Sequence, residues 1–166
     1  SNAGSGTVWM QQYRLLSLQG IDNPDPRQAF LDDLQLQVRL WREQGYEIFI
    51  GLDSNEPIST NRSKFRRFVE NTSMIDLMRH HHGAQEPPAT HIKGSATVDY
   101  GLGTPLLAET LQRSCFFRFY HGLIHSDHCG HSYDFDERIL LARQQATCWI
   151  QFQGVLSVQI VSQSRS

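Results

Sequence analysis

The segment HGLIHSDHCGHSYDFDE, residues 121–137, brings imidazole, thiol and carboxylate groups together in a short stretch of chain. Groups of this kind transfer protons near neutral pH and bind metal ions. Neither a strand nor a helix would place all of its central histidines on one face. The glycines and serine between them favour a turn, which would let Asp127 and His128 converge on one site from adjacent positions. From the segment alone, a catalytic centre, a metal site and a polar loop rich in imidazole all remain open.

A zinc site is the alternative interpretation of the same residues. The four candidate ligands are His125, His128, Cys129 and His131. They do not form the two separated ligand pairs that are usual in structural zinc sites, so the spacing argues against zinc. A second run of histidines, HHH at residues 80–82, lies in a predicted polar loop ended by two prolines, and we predict that it is exposed rather than bound to a ligand.

The segment GLDSNEP, residues 51–57, offers an acid and a neutral amide at the end of a predicted strand. In an extended chain, Asp53 and Asn55 project to one side while Ser54 points away. A carboxylate can accept a proton or orient a water molecule, and an amide can donate to a phosphoryl oxygen. The pair therefore suits phosphate chemistry, although Asp-x-Asn is also a common turn sequence after a strand.

The segment GSATVDYGLG, residues 94–103, alternates as a strand does and carries a third acid, Asp99. If Tyr100 and Leu102 pack into the core, alternation places Asp99 on the opposite face. A partly buried carboxylate needs a histidine, a metal ion or a backbone amide as its partner, because unpaired burial is costly. Exposure on the solvated side of an edge strand is the simpler alternative.

A group of basic residues follows the Asp-x-Asn element. The chain has 15 basic and 17 acidic residues and a formal charge of -2, so its overall charge does not favour nucleic acid. Arg62, Lys64 and Arg66 could supply a local positive potential for a phosphate. The same residues would also form an ordinary solvated helix face.

The elements that must position these groups alternate between strands and helices. Phe30, Leu34, Val38 and Trp41 recur at helical spacing after a proline, which predicts a helix ending near Gly45. The other predicted elements are a strand at 7–18, a buried strand at 46–52, a helix at 61–72, a polar connection at 74–88, a strand at 96–103, a helix at 104–113 and a strand at 115–120. This order predicts an α+β fold.

The composition predicts one domain, which we place at residues 7–142 of the 166. Residues 1–6 resemble an expression scar with a flexible start, and residues 143–166 form an extension whose structure the sequence leaves open. Three cysteines without a CxxC pair predict a reduced, intracellular setting. No apolar run reaches the roughly 18 residues needed to cross a bilayer, so we expect no membrane partner.

In this order, GLDSNEP, PATHIKGSATVDYGLG and HSDHCGHSYDFD resemble the later half of the endonuclease/exonuclease/phosphatase superfamily, the DNase I-like fold. That family carries GD-x-N at a strand end, then T…(R/K)-x-D-(Y/F), then S-D-H. The matching residues are Asp53 and Asn55 in the first element, Thr90, Asp99 and Tyr100 in the second, and Ser126, Asp127 and His128 in the third. The segment that leads into GLDSNEP resembles the endonucleases found beside reverse transcriptases in eukaryotic retroelements.

The resemblance implies part of a two-sheet β-sandwich flanked by helices, with Mg²⁺ or Mn²⁺ as cofactor. It implies hydrolysis of phosphodiesters in nucleic acid, with DNA favoured over RNA. In the family roles, His128 pairs with Asp99 and contacts the phosphate or the incoming water. Asp53 orients or deprotonates the nucleophile, Asn55 holds the phosphate, and Asp127 lies on the metal side.

Two departures from the family pattern shape the expectation. Leu52 separates the glycine from the aspartate, and the family's first half, with its metal-binding glutamate, has no counterpart. We therefore expect a partial domain with weak or no nuclease activity. The alternative is a non-catalytic interaction module of the same fold, which would form a homodimer that covers an open sheet.

Overall fold

A computed structural model describes residues 7–83, 85, 87–121, 124–142 and 147–151 of the chain. The elements, in chain order, are α1 (Val8–Leu18), α2 (Pro26–Glu43), β1 (Glu47–Asp53), α3 (Lys64–Thr72), β2 (Ile75–Asp76), α4 (Leu77–His82), β3 (Asp99–Gly103), α5 (Pro105–Thr110), β4 (Leu111–Phe117), β5 (Tyr120–His121), β6 (Ile124–His125), β7 (Gly130–Phe135), α6 (Glu137–Ala142) and β8 (Thr147–Gln151). The predicted α+β class is confirmed. None of the described helices is both long enough and apolar enough to cross a membrane.

The strands form one mixed sheet and two small antiparallel sheets. The mixed sheet has the order β2-β3-β1-β8, in which β1 pairs antiparallel with β3 and parallel with β8. Strands β4 and β7 form one antiparallel pair, and β5 and β6 form the other. Strand β8 lies in the extension whose structure the sequence left open, while residues 1–6, 143–146 and 152–166 lie outside the described residues.

Helix α2 covers the mixed sheet and begins where the sequence predicts. The Asp25 side chain accepts a hydrogen bond from the backbone N–H of Gln28, and Pro26 occupies the first turn. Leu34 and Val38 are buried in the core as predicted. Phe30 was predicted to share this face, but it is 42 % exposed. Leu31 is buried in its place, since one step along a helix turns the side chain by about 100°.

Two predicted elements are wrong. The strand predicted at 7–18 is helix α1, which the Thr7 side chain caps by accepting from the N–H of Met10. Trp9 and Tyr13 stack one turn apart on this helix, a contact that a strand does not offer.

The predicted polar connection at 74–88 contains β2 and α4. Helix α4 begins there because the Asp76 side chain accepts from two backbone N–H groups and caps it. The three histidines at 80–82 are exposed, as predicted, but they end this helix.

The contact between β7 and β3 fixes the small β4–β7 sheet on the mixed sheet. A side chain at Gly101 would place its Cβ 2.3 Å from the ring of Tyr133, so only glycine leaves room for that ring. Tyr133 is buried together with Leu77 and Met78 of α4. The loop that precedes β7 is thereby held close to the start of β3.

Candidate functional site

The site begins with two aspartates at one edge of the mixed sheet. Strand β1 ends at Asp53 and strand β3 begins at Asp99, and the antiparallel register makes these two residues direct partners. Like charges directly opposite each other destabilise a sheet unless a positive group lies between them. The end of the sheet therefore calls for a cation or a protonated group.

The loop at residues 126–129, in the middle of the histidine-rich segment 121–137, supplies that group. The loop at 126–129 pairs with residues 90–92: Ile92 N–H donates to the carbonyl of Asp127 over 2.8 Å, and His91 and His128 form an isolated antiparallel bridge. The Ser126 hydroxyl accepts from the backbone N–H of His128 at 3.1 Å. These contacts hold the imidazole of His128 over the pair of aspartates.

Thr90 connects this loop to β3 through a fully buried hydroxyl group. The hydroxyl accepts the backbone N–H of Val98 at 2.9 Å and that of Asp99 at 3.1 Å, and it hydrogen-bonds the carboxyl group of Asp99. A hydroxyl has one donor and two acceptor positions, so all three are used. The Thr90 carbonyl also accepts the N–H of Cys129 at 2.8 Å. Thr90 therefore fixes Asp99 relative to His128.

The imidazole of His128 bridges the two aspartates. Its Nδ1 lies 2.9 and 3.1 Å from the two carboxylate oxygens of Asp99, and its Nε2 lies 4.0 Å from Oδ2 of Asp53. Asp99 is only 5 % exposed, whereas the His128 side chain is 27 % exposed. Nδ1 is thus held by a buried carboxylate, while Nε2 faces the rim of the site. We use "rim" for the group formed by Asp53, His91, Asp127 and His128.

Burial and charge shift the pKa values of this pair. Burial raises the pKa of Asp99, although hydrogen bonds from His128 and Thr90 offset part of the rise. Burial alone would lower the pKa of His128, but its hydrogen bond to Asp99 and the negative charges of Asp99, Asp53 and Asp127 raise it above its ordinary value of 6.5. The ring therefore holds its proton more strongly than a free imidazole does.

Among the described residues, two groups of side chains could hold a metal ion, and His128 belongs to both. One is formed by Asp53, Asp99 and His128, and the other by His91, Asp127 and His128. The first offers two carboxylates, which suit hard ions such as Mg²⁺, while the second offers two imidazoles and suits softer transition metals. The N–H of Lys93 donates to Nδ1 of His91, which leaves the proton of a neutral ring on Nε2. A metal at that Nε2 would require this hydrogen bond to break, so the first group fits an ion better.

Asp127 was predicted on the metal side. Its Oδ2 lies 3.7 Å from Nε2 of His91, and its side chain is largely exposed at the outer part of the rim. It belongs to the second ligand group and adds negative charge near His128.

Asn55 does not follow the extended path on which its prediction depended. It has a left-handed backbone with φ 52°, and its N–H donates to Oδ1 of Asp53 at 2.8 Å. The segment is therefore a turn in which Asp53 caps its own chain, and Asn55 is exposed beside it. Three of the four predicted catalytic residues converge, whereas Asn55 contacts the site through its backbone.

The predicted phosphate-binding residues make local ion pairs. Lys64 pairs with Asp25 at the start of α2, and Arg66 lies 2.8 Å from Glu70 one turn along α3. Arg62 is exposed in the turn before α3. A phosphate contact by Lys64 or Arg66 would have to replace an existing ion pair. The positive charge that each side chain could offer a phosphate is therefore partly neutralised.

The zinc alternative does not find its ligands together among the described side chains. His131 lies inside the β4–β7 sheet with Nδ1 3.1 Å from the hydroxyl of Tyr133, and neither His131 nor Cys129 belongs to a candidate ligand group there. The side chain of His125 lies outside what the structure describes.

Sequence reasoning missed His91. Its ring packs edge-on to that of His128 with the ring centroids 4.9 Å apart. The sequence signal that could have indicated His91 is its position next to Thr90. If Thr90 pairs with the loop at 126–129, which contains Ser126, Asp127 and His128 and is called the SDH loop below, His91 must lie at the rim. Neither the known protein families nor the curated proteins give a significant match to this chain.

Proposed function

We propose that this chain carries the catalytic rim of a metal-dependent phosphodiesterase that acts on nucleic acid, of the endonuclease/exonuclease/phosphatase type. The observation that carries the proposal is His128, held at Nδ1 by the buried Asp99 and facing Asp53 with Nε2. An imidazole fixed in this way can bind a phosphoryl oxygen or move a proton at Nε2 without losing its orientation. The order of the segments GLDSNEP, PATHIKGSATVDYGLG and HSDHCGHSYDFD in the sequence supports the same proposal independently of the structure.

Each residue takes one role in the proposed reaction. Asp53 orients the attacking water and accepts its proton, because its carboxylate lies at the rim on the outer side of His128. His128 in its protonated form binds the phosphate and stabilises the charge that develops there, while Asp99 keeps the ring in place. Asn55 provides an amide in the adjacent turn for a phosphate oxygen.

A divalent ion, Mg²⁺ or Mn²⁺, fits the carboxylates of this rim. Asp53 would hold it through a carboxylate oxygen, with the substrate phosphate and water completing the shell, while the exposed Asp127 belongs to the neighbouring ligand group. When bound, the ion neutralises charge on the phosphate. The cross-strand pair of Asp53 and Asp99 supports this assignment, because two adjacent carboxylates favour a nearby cation.

The proposal extends to the fold as a partial DNase I-like sandwich. Its support is the way the β4–β7 pair packs onto the mixed sheet through Tyr133 and Gly101, with helix α2 on the sheet as well. The loop at 126–129 pairs with residues 90–92 and brings His128 to Asp99 at the start of β3, which supports the same proposal.

A cleavage assay tests the function directly. Supercoiled plasmid and duplex DNA with an abasic position are incubated with the chain in Mg²⁺, in Mn²⁺ and in a chelator. We expect weak, metal-dependent cleavage that falls about 10²- to 10⁴-fold in His128→Ala. His80→Ala is the matched control, because it removes an exposed imidazole outside both ligand groups. Equal rates for the wild type and His128→Ala would end the proposal.

A second candidate function is association between copies of the chain. The specific observation is the outer side of α1, where Val8 is 73 % and Leu18 is 87 % exposed. Apolar side chains at such exposure favour burial against a partner. Light scattering tests this candidate, since Leu15→Lys on the same side should convert a dimer to a monomer. A wild-type chain that is monomeric at high concentration rules it out.

A further inference from the structure

A cavity of about 760 Å³ opens directly beside the candidate site, between α1, α2 and the turn that follows β1. Its volume lies within the roughly 300–1,000 Å³ that small-ligand pockets occupy. Asp53 and Asn55 form part of its rim, so the cavity and the proposed phosphate site share a border. The proposed reaction uses Asp53 and Asn55 and gives no role to the other residues that line the cavity.

One wall of the cavity is aromatic. Trp9 and Tyr13 lie on the inner side of α1 and stack with ring centroids 5.3 Å apart and planes 23° apart, and both line the cavity together with Phe30. Helix α1 buries no residue, and Trp9 and Phe30 stay 37 % and 42 % exposed. The exposed part of the Trp9 ring therefore offers a surface on which a flat ligand can stack.

The rim of the cavity is polar but not cationic. Asn23 and Asn55, both with left-handed backbones in turns, add amide groups that can donate and accept hydrogen bonds. Arg27 is the cation of the lining, and its guanidinium donates to the carbonyl of Ser54 and lies 3.6 Å from Glu56. With its charge paired, and with Asp53 also on the rim, the cavity disfavours a phosphate group and favours a neutral, flat, hydrogen-bonding ligand.

We propose that this cavity binds an unpaired nucleobase of the nucleic acid whose phosphate lies at Asp53 and His128. This inference rests on the proposed function, because the shared rim at Asp53 lets one nucleotide place its phosphate at the site and a base in the cavity. A base within a duplex is stacked and paired and does not enter such a space. The substrate class is thus single-stranded nucleic acid, or a duplex with an extruded base.

Binding measured in a chelator separates base recognition from cleavage. The probes are a dye-labelled single-stranded oligonucleotide, the same sequence as a duplex, and a single strand of equal length with abasic positions in place of its bases. We expect the single strand to bind more tightly than the duplex and the abasic strand. Trp9→Ala should weaken binding of the single strand about tenfold and leave the abasic strand unchanged, since stacking on an aromatic ring accounts for differences of that size.

Variants on one helix provide the controls. Trp9→Phe keeps an aromatic face and should restore most of the affinity, while Gln12→Ala changes an exposed residue of α1 that does not line the cavity and should change nothing. Because α1 buries no residue, Trp9→Ala is expected to fold, and circular dichroism with thermal unfolding verifies this. In the cleavage assay, Trp9→Ala should raise KM with little change in kcat, as expected for a residue that binds substrate away from the reacting atoms.

The outcomes distinguish this inference from the proposed function. If cleavage requires His128 but Trp9→Ala binds all three probes as the wild type does, the cavity proposal is wrong and the phosphodiesterase stands. If Trp9→Ala weakens only base-containing strands while His128→Ala cleaves at the wild-type rate, base binding stands and the catalytic proposal falls. Equal affinity for single strand and duplex overturns the cavity proposal in either case.

Discussion

His128 and His131 lie three residues apart in one polar cluster, yet their surroundings shift their pKa values in opposite directions. His128 lies at the rim beside Asp99, and nearby negative charges raise its pKa above 6.5 although burial opposes them. His131 has no charged partner among the described residues, and burial lowers its pKa to about 4. The same side chain thus holds its proton more strongly in one place and is a neutral ring near neutral pH in the other.

The difference follows from where strand β7 begins. His128 precedes the strand and belongs to the loop that crosses the end of the mixed sheet, whereas His131 is inside the strand and pairs with Phe116 of β4. The His131 ring packs edge-on to that of Phe116 with the centroids 4.8 Å apart, and its Nε2 is buried with no hydrogen-bond partner among the described residues. A charged partner, rather than the density of histidines in the sequence, therefore distinguishes the two rings.

The largest effect we predict separates these two histidines by activity. His128→Ala should lower the cleavage rate about 10²- to 10⁴-fold, because it removes the group at the phosphate. His131→Phe should keep the rate within a few-fold, because Phe fills the same space beside Phe116. Cleavage of labelled DNA under single-turnover conditions measures both rates. A comparable loss in both variants would break the distinction between rim and interior.

The second prediction concerns stability in mild acid. The folded pKa of His131, about 4, lies below the ordinary value of 6.5, so the unfolded chain binds the additional proton between these two values. The contribution of His131 to the free energy of unfolding is therefore complete above pH 6.5 and falls on acidification. Since each pH unit in this window is worth about 1.4 kcal/mol, the loss near pH 4 is on the order of 3 kcal/mol.

Denaturant unfolding at a series of pH values measures this loss. His131→Phe should remove the part of the pH dependence that lies between 6.5 and 4, and the difference from the wild type isolates it from other titrating groups. His128 acts with the opposite sign: its raised pKa stabilises the fold below pH 6.5, and this stabilisation is lost as the pH rises through the folded value. An identical pH slope in the wild type and His131→Phe would contradict the assignment of His131 as a buried neutral ring.

The third prediction tests what raises the pKa of His128. In Asp99→Asn the ring loses the carboxylate that hydrogen-bonds Nδ1, while its burial remains. The pKa of His128 should therefore fall towards or below 6.5, and the rate of cleavage should fall with it. The pH dependence of the ring proton signals in NMR spectra gives the value directly. A pKa that is the same in both proteins would show that Asp99 does not control the ring.

Sequence reasoning reached the parts of the site that local patterns determine. Asp99 lies on a strand predicted from alternation, and the cost of burying its carboxylate predicts the partner that His128 provides. The strand that ends at Asp53 was recognised from its apolar run. The turn that brings His128 forward followed from the glycines around it.

The parts that it missed depend on tertiary contacts. His91 enters the rim only because residues 90–92 pair with the SDH loop, and nothing in either segment alone encodes that pairing. Asn55 leaves the predicted face because the Asp53 carboxylate accepts its N–H and turns the chain. Helix α1 was predicted as a strand because apolar residues occur on both of its sides, which removes the helical periodicity on which such predictions rely.

The smallest predicted effect tests the other side of the His128 ring. Asp53 acts on the imidazole only through space, with its Oδ2 4.0 Å from Nε2, and it makes a smaller contribution to the pKa than Asp99 does. Asp53→Asn should therefore lower the pKa of His128 less than Asp99→Asn does, and added salt should reduce this difference, since the Asp53 carboxylate is partly exposed. Cleavage should nevertheless fall strongly in Asp53→Asn, because the variant removes the proposed base while the ring stays in place. A pKa change as large as that of Asp99→Asn would show that the ring is bound by both carboxylates equally, and Nε2 would then be unavailable for a phosphate.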